Sequence, residues 1–207
     1  MVTNIIRKVI EKHLVPRESF IYGFADLTNL VDQNYGEHHF GISIGRKLDS
    51  RIVNGVMHGP TLIYYNHYRN INDELTDLVN NIVTDLRLVG VSAIPTETTV
   101  TTEKLDTEYA DTLRTKLSHK MVATRSGLGW IGKSDLPISK EFGPSLRLAT
   151  ILTNYPLEGD KSPVESSRCG SCKICMDRCP AGAISGISWD ISLDRDEFFD
   201  AFKCREQ

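Results

Sequence analysis

The chain has no cysteine in its first 168 residues, no long apolar run and no surplus of basic residues. A secreted disulfide framework spreads its cysteines along the chain. Five cysteines crowded between 169 and 204 exclude one and read instead as metal ligands in a reducing compartment. No stretch approaches the roughly 18 consecutive apolar residues of a membrane-spanning helix. At the amino terminus Arg7, Lys8, Glu11 and Lys12 interrupt the apolar positions, which predicts an amphipathic helix and not a signal peptide. A cytoplasmic protein that touches no membrane is expected. With 24 basic against 27 acidic residues and a net charge of −3, there is no basic field for a phosphate backbone, which disfavours nucleic acid as the main partner. Internal repeats and low-complexity tracts are missing too. What is present is 40% apolar residues, enough for one compact domain or for a main domain with a small appendage.

The periodicities predict a mixed α/β layout over residues 1–157 and a small cluster module over 158–207. A helix ends near Pro16, and Ser19 to Asp26 form a short strand or turn. Phe40, Ile42 and Ile44 alternate as a strand beside close-approaching glycines. Arg46 to Met57 predict a short helix and His58-Gly59-Pro60 a turn. Thr61 to Tyr68 fits either a strand or the front of a helix. From Asn72 to Val89, residues Leu75, Leu78, Val79, Ile82 and Leu86 recur at helical spacing, with Asn72 placed to cap the helix and Gly90 to stop it. Val91 to Ile94 predict a buried strand, and Pro95 to Thr102 a threonine-rich loop. Leu105 to Arg125 read as a mostly polar helix closed by the glycines of 127–132, and Leu146 to Thr153 as a further strand. Glu158 to Arg168 read as a linker.

Cys169, Cys172, Cys175 and Cys179, followed by Pro180, form C-x2-C-x2-C-x3-C-P, the spacing of bacterial ferredoxins. Three thiolates set two residues apart on a tight turn reach three corners of one cubane, while free amides of the turn point at its sulfides. A zinc knuckle pairs two C-x2-C units across a longer gap, so a zinc-stabilised interaction protein is the weaker alternative. The expected cofactor is a [4Fe–4S] cluster, one or two per chain. In two-cluster ferredoxins the fourth cysteine of this run serves the other cluster, which would group Cys179 with Cys204. Two all-cysteine clusters need about eight thiolates, and the chain has five. Either one cluster forms or the chain is a shortened version of a longer protein, and the second reading is preferred.

Outside the cysteines, His119 and Lys120 are candidate catalytic residues, as proton donors or partners of an anion, against the alternative of a solvent-facing helix position. His38 and His39, beside Gly36 and Gly41, face a pocket or the surface. Tyr64, Tyr65, His67 and Tyr68 form an aromatic patch that suits a flat cofactor or the core equally. Arg147, within an apolar strand, must find a carboxylate, phosphate or amide partner, in a ligand or in the protein. Gly127, Gly129 and Gly132 match a dinucleotide glycine pattern, but a polar helix and not a strand precedes them, which disfavours a nicotinamide site. A packing turn around Trp130 is the competing explanation. Asp194 to Glu197 look like a helix start, packed down by Phe198, Phe199 and Phe202.

Three motifs in this order, Gly127-Leu-Gly-Trp-Ile-Gly-Lys133, the strand segment Gly143 to Leu157 and the cysteine run, resemble the epoxyqueuosine reductase family, itself similar to the reductive dehalogenases. The resemblance covers about residues 60–204. It implies a nitroreductase-like α/β fold followed by a ferredoxin-like module, and a corrinoid, cobalamin, fed by [4Fe–4S] clusters. It also implies an electron donor such as ferredoxin or flavodoxin, with tRNA as partner only if the family reaction is kept. On this resemblance Ser134 and Leu148 line the corrinoid, Tyr65 and Tyr68 stand at another contact, and Gly127, Gly129, Lys133 and Arg147 belong to the same cofactor site. The family's upstream acid falls on Leu113, with nothing acidic to match it, and its second cysteine motif is missing beyond Cys204. Two functions follow. One is an oxidoreductase passing low-potential electrons from a cluster to a corrinoid or substrate in the α/β domain; the other is an electron-transfer or binding module without catalysis of its own.

Overall fold

The computed structural model describes residues 2–57, 59–100, 103 and 105–207. His58, in the expected turn, and Thr101 and Thr102, at the end of the expected threonine-rich loop, lie outside the described residues. Along the chain run α1 (Val2–His13), β1 (Phe20–Asp26), β2 (Phe40–Lys47), α2 (Ser50–Asn54), α3 (Leu62–Leu88) and β3 (Ala93–Pro95). There follow α4 (Thr107–Thr112), α5 (His119–Arg125), β4 (Gly129–Ile131), β5 (Pro137–Ser139) and β6 (Leu146–Thr153). The carboxy-terminal segment carries α6 (Ile174–Asp177), α7 (Arg195–Phe198) and α8 (Ala201–Glu206). The fold is mixed α/β, as expected.

Four strands form an antiparallel sheet in the order β1-β2-β6-β3, with Phe24 opposite Ile42, Ile42 opposite Ile151 and Ile44 opposite Ala149. Side chains alternate across a strand, so Phe20, Phe24, Ile42, Ile44, Ala149 and Ile151 share one face. Two apolar helix stripes cover that face: Ile6 and Ile10 of α1, and Leu75, Val79, Ile82 and Leu86 of α3. Each such fully buried side chain stabilises the fold by about 1.5–3 kcal/mol. On the other face Leu146, Leu148 and Leu152 meet α5 through Val122 and Ala123. Gly41 permits this approach, because a Cβ there would lie 2.8 Å from both the Val122 and the Leu27 side chains. The expected close-approaching glycine is thus observed, and it sets α5 tightly on the sheet with His119 at its first turn.

Several boundaries differ from expectation, each for a local reason. Thr61 caps α3 by accepting the Tyr64 N–H, which decides between the two readings of Thr61 to Tyr68 in favour of the front of a helix. Asn72 therefore caps nothing; it lies inside α3, buried in the core-facing stripe. Gly90 does stop the helix, with φ at +81°. Leu105 to Arg125 is broken into two short helices, because Leu113 adopts a left-handed backbone with φ +51° and Ser118 caps a new start by accepting the Met121 N–H. Arg46 belongs to β2, leaving a helix of only five residues capped by Asp49. The glycines of 127–132 flank and enter β4, which pairs with β5.

The stretch 158–168 is not a free linker. Arg7 pairs with Asp160 at 2.6 Å, and the Val164 N–H donates to the Thr124 carbonyl at 2.8 Å. Beyond it, Trp189 and Phe198 form a small core with Ile131 of β4, so the cysteine segment shares apolar packing with the body. Phe198 is buried, Phe199 packs at the edge, and Phe202 is 43% exposed and holds nothing down. Arg195 donates to the carbonyls of Thr112 and Leu113, and Arg114 reaches both Asp194 and Asp196. Among the described residues, no helix is long and apolar enough to cross a membrane.

Candidate functional site

The cysteine run folds as its spacing demands. The Cys172 N–H donates to the Cys169 carbonyl at 3.1 Å, closing a tight turn, and Cys175 rides on α6. The Ala183 N–H points at the Cys179 sulfur at 3.4 Å, a backbone donor already set for a thiolate. All five thiols are free and none is fully buried. Cys204 sits on α8, whose capping residue Asp200 donates its N–H to the Ala183 carbonyl, so this helix starts beside the stretch that follows Cys179. Among the described residues no three Cys, His, Asp or Glu side chains are gathered as they would be around one ion. Tetrahedral zinc draws its sulfurs to about 2.3 Å from a single point, whereas a cubane spreads thiolates over its corners, and the C-x2-C-x2-C-x3-C spacing is that of the latter.

The glycine motif is the outer wall of this loop. Lys133 is only 5% exposed, and its ammonium donates to the carbonyls of Gly170 at 2.9 Å and Cys172 at 3.0 Å. The Trp130 indole N–H is buried and faces the Cys169 sulfur, and the Arg168 guanidinium lies over its ring at 5.9 Å. Burial pushes the Cys169 thiol up, but hydrogen bonding from Ser167, the Lys133 amide and Trp130, together with the Lys133 charge, outweighs it and holds the thiol below its usual value. These are the surroundings that favour a thiolate. Gly127 and Gly129 do not form an open cradle: a Cβ on Gly127 would meet the Lys161 Cβ at 2.5 Å, and one on Gly129 the Ile138 carbonyl oxygen at 2.0 Å. The chain itself fills the space expected for a cofactor.

A cleft opens on the side of α5 that carries His119. Its outer lobe, about 370 Å³, is lined by Tyr35, Tyr109, Arg114 and His119 among others. Its inner lobe, about 270 Å³, is lined by Tyr68, Thr98, Thr99, His119 and Arg147. Arg114 ties the outer wall to the cysteine segment through Asp194 and Asp196. His119 bonds the Thr150 hydroxyl through Nδ1 and the Glu97 carbonyl through Nε2, each at 2.8 Å. A carbonyl only accepts, so Nε2 carries the proton and Nδ1 accepts from Thr150. Burial lowers its pKa, with the Arg147 charge adding to the effect, so the ring is neutral at pH 7. His119 is therefore neither solvent-facing nor a ready proton donor; it fixes the floor shared by both lobes.

The other expected site residues are scattered. Lys120 points to Asp135, 2.5 Å from its carboxylate and 3.0 Å from its carbonyl, and lines neither lobe. The helix turns its catalytic pairing with His119 away from the cleft. Tyr65 is 51% exposed beneath Arg69, whereas Tyr68 faces the inner lobe. Leu148 is a core residue against Ala123 and Leu128. Ser134 lies in the turn between β4 and β5. His38 is used locally, bonded to the Tyr35 carbonyl and the Ser92 hydroxyl. The contacts assigned to a corrinoid thus fall in at least three separate places. The residues present do not fit that group. Sequence reasoning missed Asn72 as the partner of Arg147, although its place in the 72, 75, 79, 82, 86 stripe marks it as buried. It also missed Arg114 and Arg195 as clamps, for which no local signal exists.

Residues 163–185 match the family model of the 4Fe-4S binding domain. Epoxyqueuosine reductase of a Synechocystis species is 42% identical over 76 residues, 37% of this chain and 25% of that protein. The Bacillus cereus enzyme is 44% identical over 69 residues, 33% of this chain and 18% of that protein. A solved epoxyqueuosine reductase with a modified tRNA-Tyr stem loop superposes with a TM-score of 0.62 at 20% identity, covering 98% of this chain and 56% of that one. The chain is similar to the epoxyqueuosine reductases. It spans just over half the length of that solved epoxyqueuosine reductase, and the matched segment is a quarter or less of the two curated ones. A catabolic reductive dehalogenase shares the fold too, with a TM-score of 0.62 at 16% identity over 80% of this chain and 23% of that one.

Proposed function

We propose that the chain is an iron–sulfur oxidoreductase in which Cys169, Cys172, Cys175 and a fourth thiolate, Cys179 or Cys204, hold a [4Fe–4S] cluster. The cluster supplies low-potential electrons; the chain's own residues bind a substrate in the cleft beside α5, whose outer wall Arg114 ties to the cysteine segment. The observation that supports this most directly is Lys133, which joins the glycine motif to the backbone of the cysteine loop and sets a positive charge beside it. Placement of Arg114 and Arg195 across the junction supports the same reading, since they keep cleft and loop in register. The polar side chains that this cleft gathers, His119 and Arg147 among them, support a substrate site over an electron-transfer module without catalysis. An external donor of the ferredoxin or flavodoxin class supplies the electrons. The relative with a tRNA stem loop suggests tRNA as substrate, but the net charge of −3 here argues against it. No step is routed through a corrinoid.

The test is anaerobic purification of two variants. Cys172→Ser abolishes the brown chromophore, while Cys204→Ser does so only if Cys204 is the fourth ligand. A chromophore retained in Cys172→Ser overturns the assignment.

A further inference from the structure

Arg147 projects from β6 into the inner lobe, and every partner it has is neutral. Its Nε donates to Asn72 Oδ1 at 2.9 Å, its Nη2 reaches Thr99 Oγ1 at 3.2 Å and the Tyr68 hydroxyl at 3.4 Å, and its guanidinium lies 4.4 Å from the Tyr68 ring centroid. Among the described residues, no carboxylate lies within ion-pair distance of it, and its Nη1 finds no acceptor. Glu97 is the one acidic residue among the described lining of this lobe. Nor is the arginine loosely held. Asn72 is buried in mid-helix, where an amide is out of place except as an acceptor that fixes the guanidinium plane. A partly desolvated guanidinium without a counter-ion is costly, and its planar fork of N–H donors matches a carboxylate or phosphoryl group.

We propose that the inner lobe binds a small oxyanion, a carboxylate or phosphoryl group, on the open edge of Arg147, with the hydroxyls of Tyr68 and Thr99 alongside. The rest of the ligand extends into the outer lobe over Val100, Leu105, Tyr109 and Leu117. A small organic acid or phosphate ester has this form. The cations of the outer lobe do not compete for the anion, since Arg114 is held by Asp194 and Asp196 and Lys116 stands 3.9 Å from Asp106. Tyr68 fits the same picture: burial pushes its hydroxyl up, but bonding from Thr99 and the Arg147 charge outweigh this and lower it, so the lobe favours negative charge. The proposal deepens the reading of the cleft as a substrate site and rests on it. Binding is read without electron transfer, so its failure leaves the cluster assignment standing.

Calorimetric titration of the cluster-loaded protein with inorganic phosphate and, separately, with succinate, at ionic strength held constant with chloride, tests it. Saturable binding of one or both probes is expected, and which of them binds tells phosphoryl from carboxylate chemistry. Arg147→Gln weakens that binding at least tenfold, roughly the loss of one charge-assisted contact, while Arg69→Gln, outside the cleft, leaves it unchanged. Should Arg147→Gln fail to fold, Arg147→Lys and Tyr68→Phe replace it, with smaller losses expected. No saturable binding of either probe below about 10 mM, weaker than the millimolar range of the faintest specific sites, or binding indifferent to these Arg147 and Tyr68 substitutions, overturns the proposal.

Discussion

Around Ile10, Leu75 and Ile151 the chain is fixed by burial: two helices close one face of a sheet and their side chains are fully enclosed. Between 163 and 185 the same chain has Ala183 as its one fully buried apolar residue, and its shape rests on turns and on Lys133 clasping two carbonyls. The first region needs nothing from outside to hold its shape. The second is a set of ligands held open, whose missing stabilisation a bound cluster provides, since metal binding and local folding share one free energy.

The largest expected effect comes from taking the cluster away. Chelation of iron in air abolishes hydrogen-exchange protection over 163–185 and leaves the α1, α3 and sheet amides as slow as before; uniform loss across both regions would break the comparison. Core substitutions come next and sort the regions by a second readout. Leu75→Ala costs about 2–5 kcal/mol by denaturant titration with iron content unchanged, whereas Phe198→Ala costs about 3–5 kcal/mol and releases iron with it. Replacing Lys133 by Met leaves two carbonyls without their donor, at about 1–3 kcal/mol. It also removes a positive charge beside the cluster, so the midpoint potential in a redox titration becomes more negative. Trp130→Phe moves the potential in the same direction by less. The smallest effect is on pH dependence. His119 has a folded pKa below its unfolded value of about 6.5. The unfolded state then binds more protons, and stability falls as pH drops through about 6.5 toward the folded value. His119→Gln loses stability less steeply than the wild type between pH 7 and 5 in thermal melts.

How much of this was legible in the sequence follows the same division. The sheet strands and the α3 stripe were readable because alternation and helical spacing report burial directly, as at Ile42 and Ile44 and at Leu75 and Val79. The cysteine loop was readable because coordination imposes a spacing of its own. Asn72 was misplaced as a cap because its polar character suits a helix start, and only its contact with Arg147 across the fold reveals why it is buried. Lys120 and Lys133 each stand next to a candidate site residue, yet one binds Asp135 and the other the cysteine loop, a difference set by backbone turns at 126–136 that no local pattern encodes. The corrinoid contacts inferred from resemblance failed to converge for a like reason: Leu148 keeps its place in the strand, but its face of the sheet is covered by α5.

The most direct measurement is elemental and spectroscopic analysis of the anaerobically purified chain. Iron and acid-labile sulfide in equal amounts, about four of each per cluster, with a paramagnetic signal that appears on reduction and is lost in Cys172→Ser, are what the account predicts. A colourless protein carrying zinc, stable in air, would contradict it.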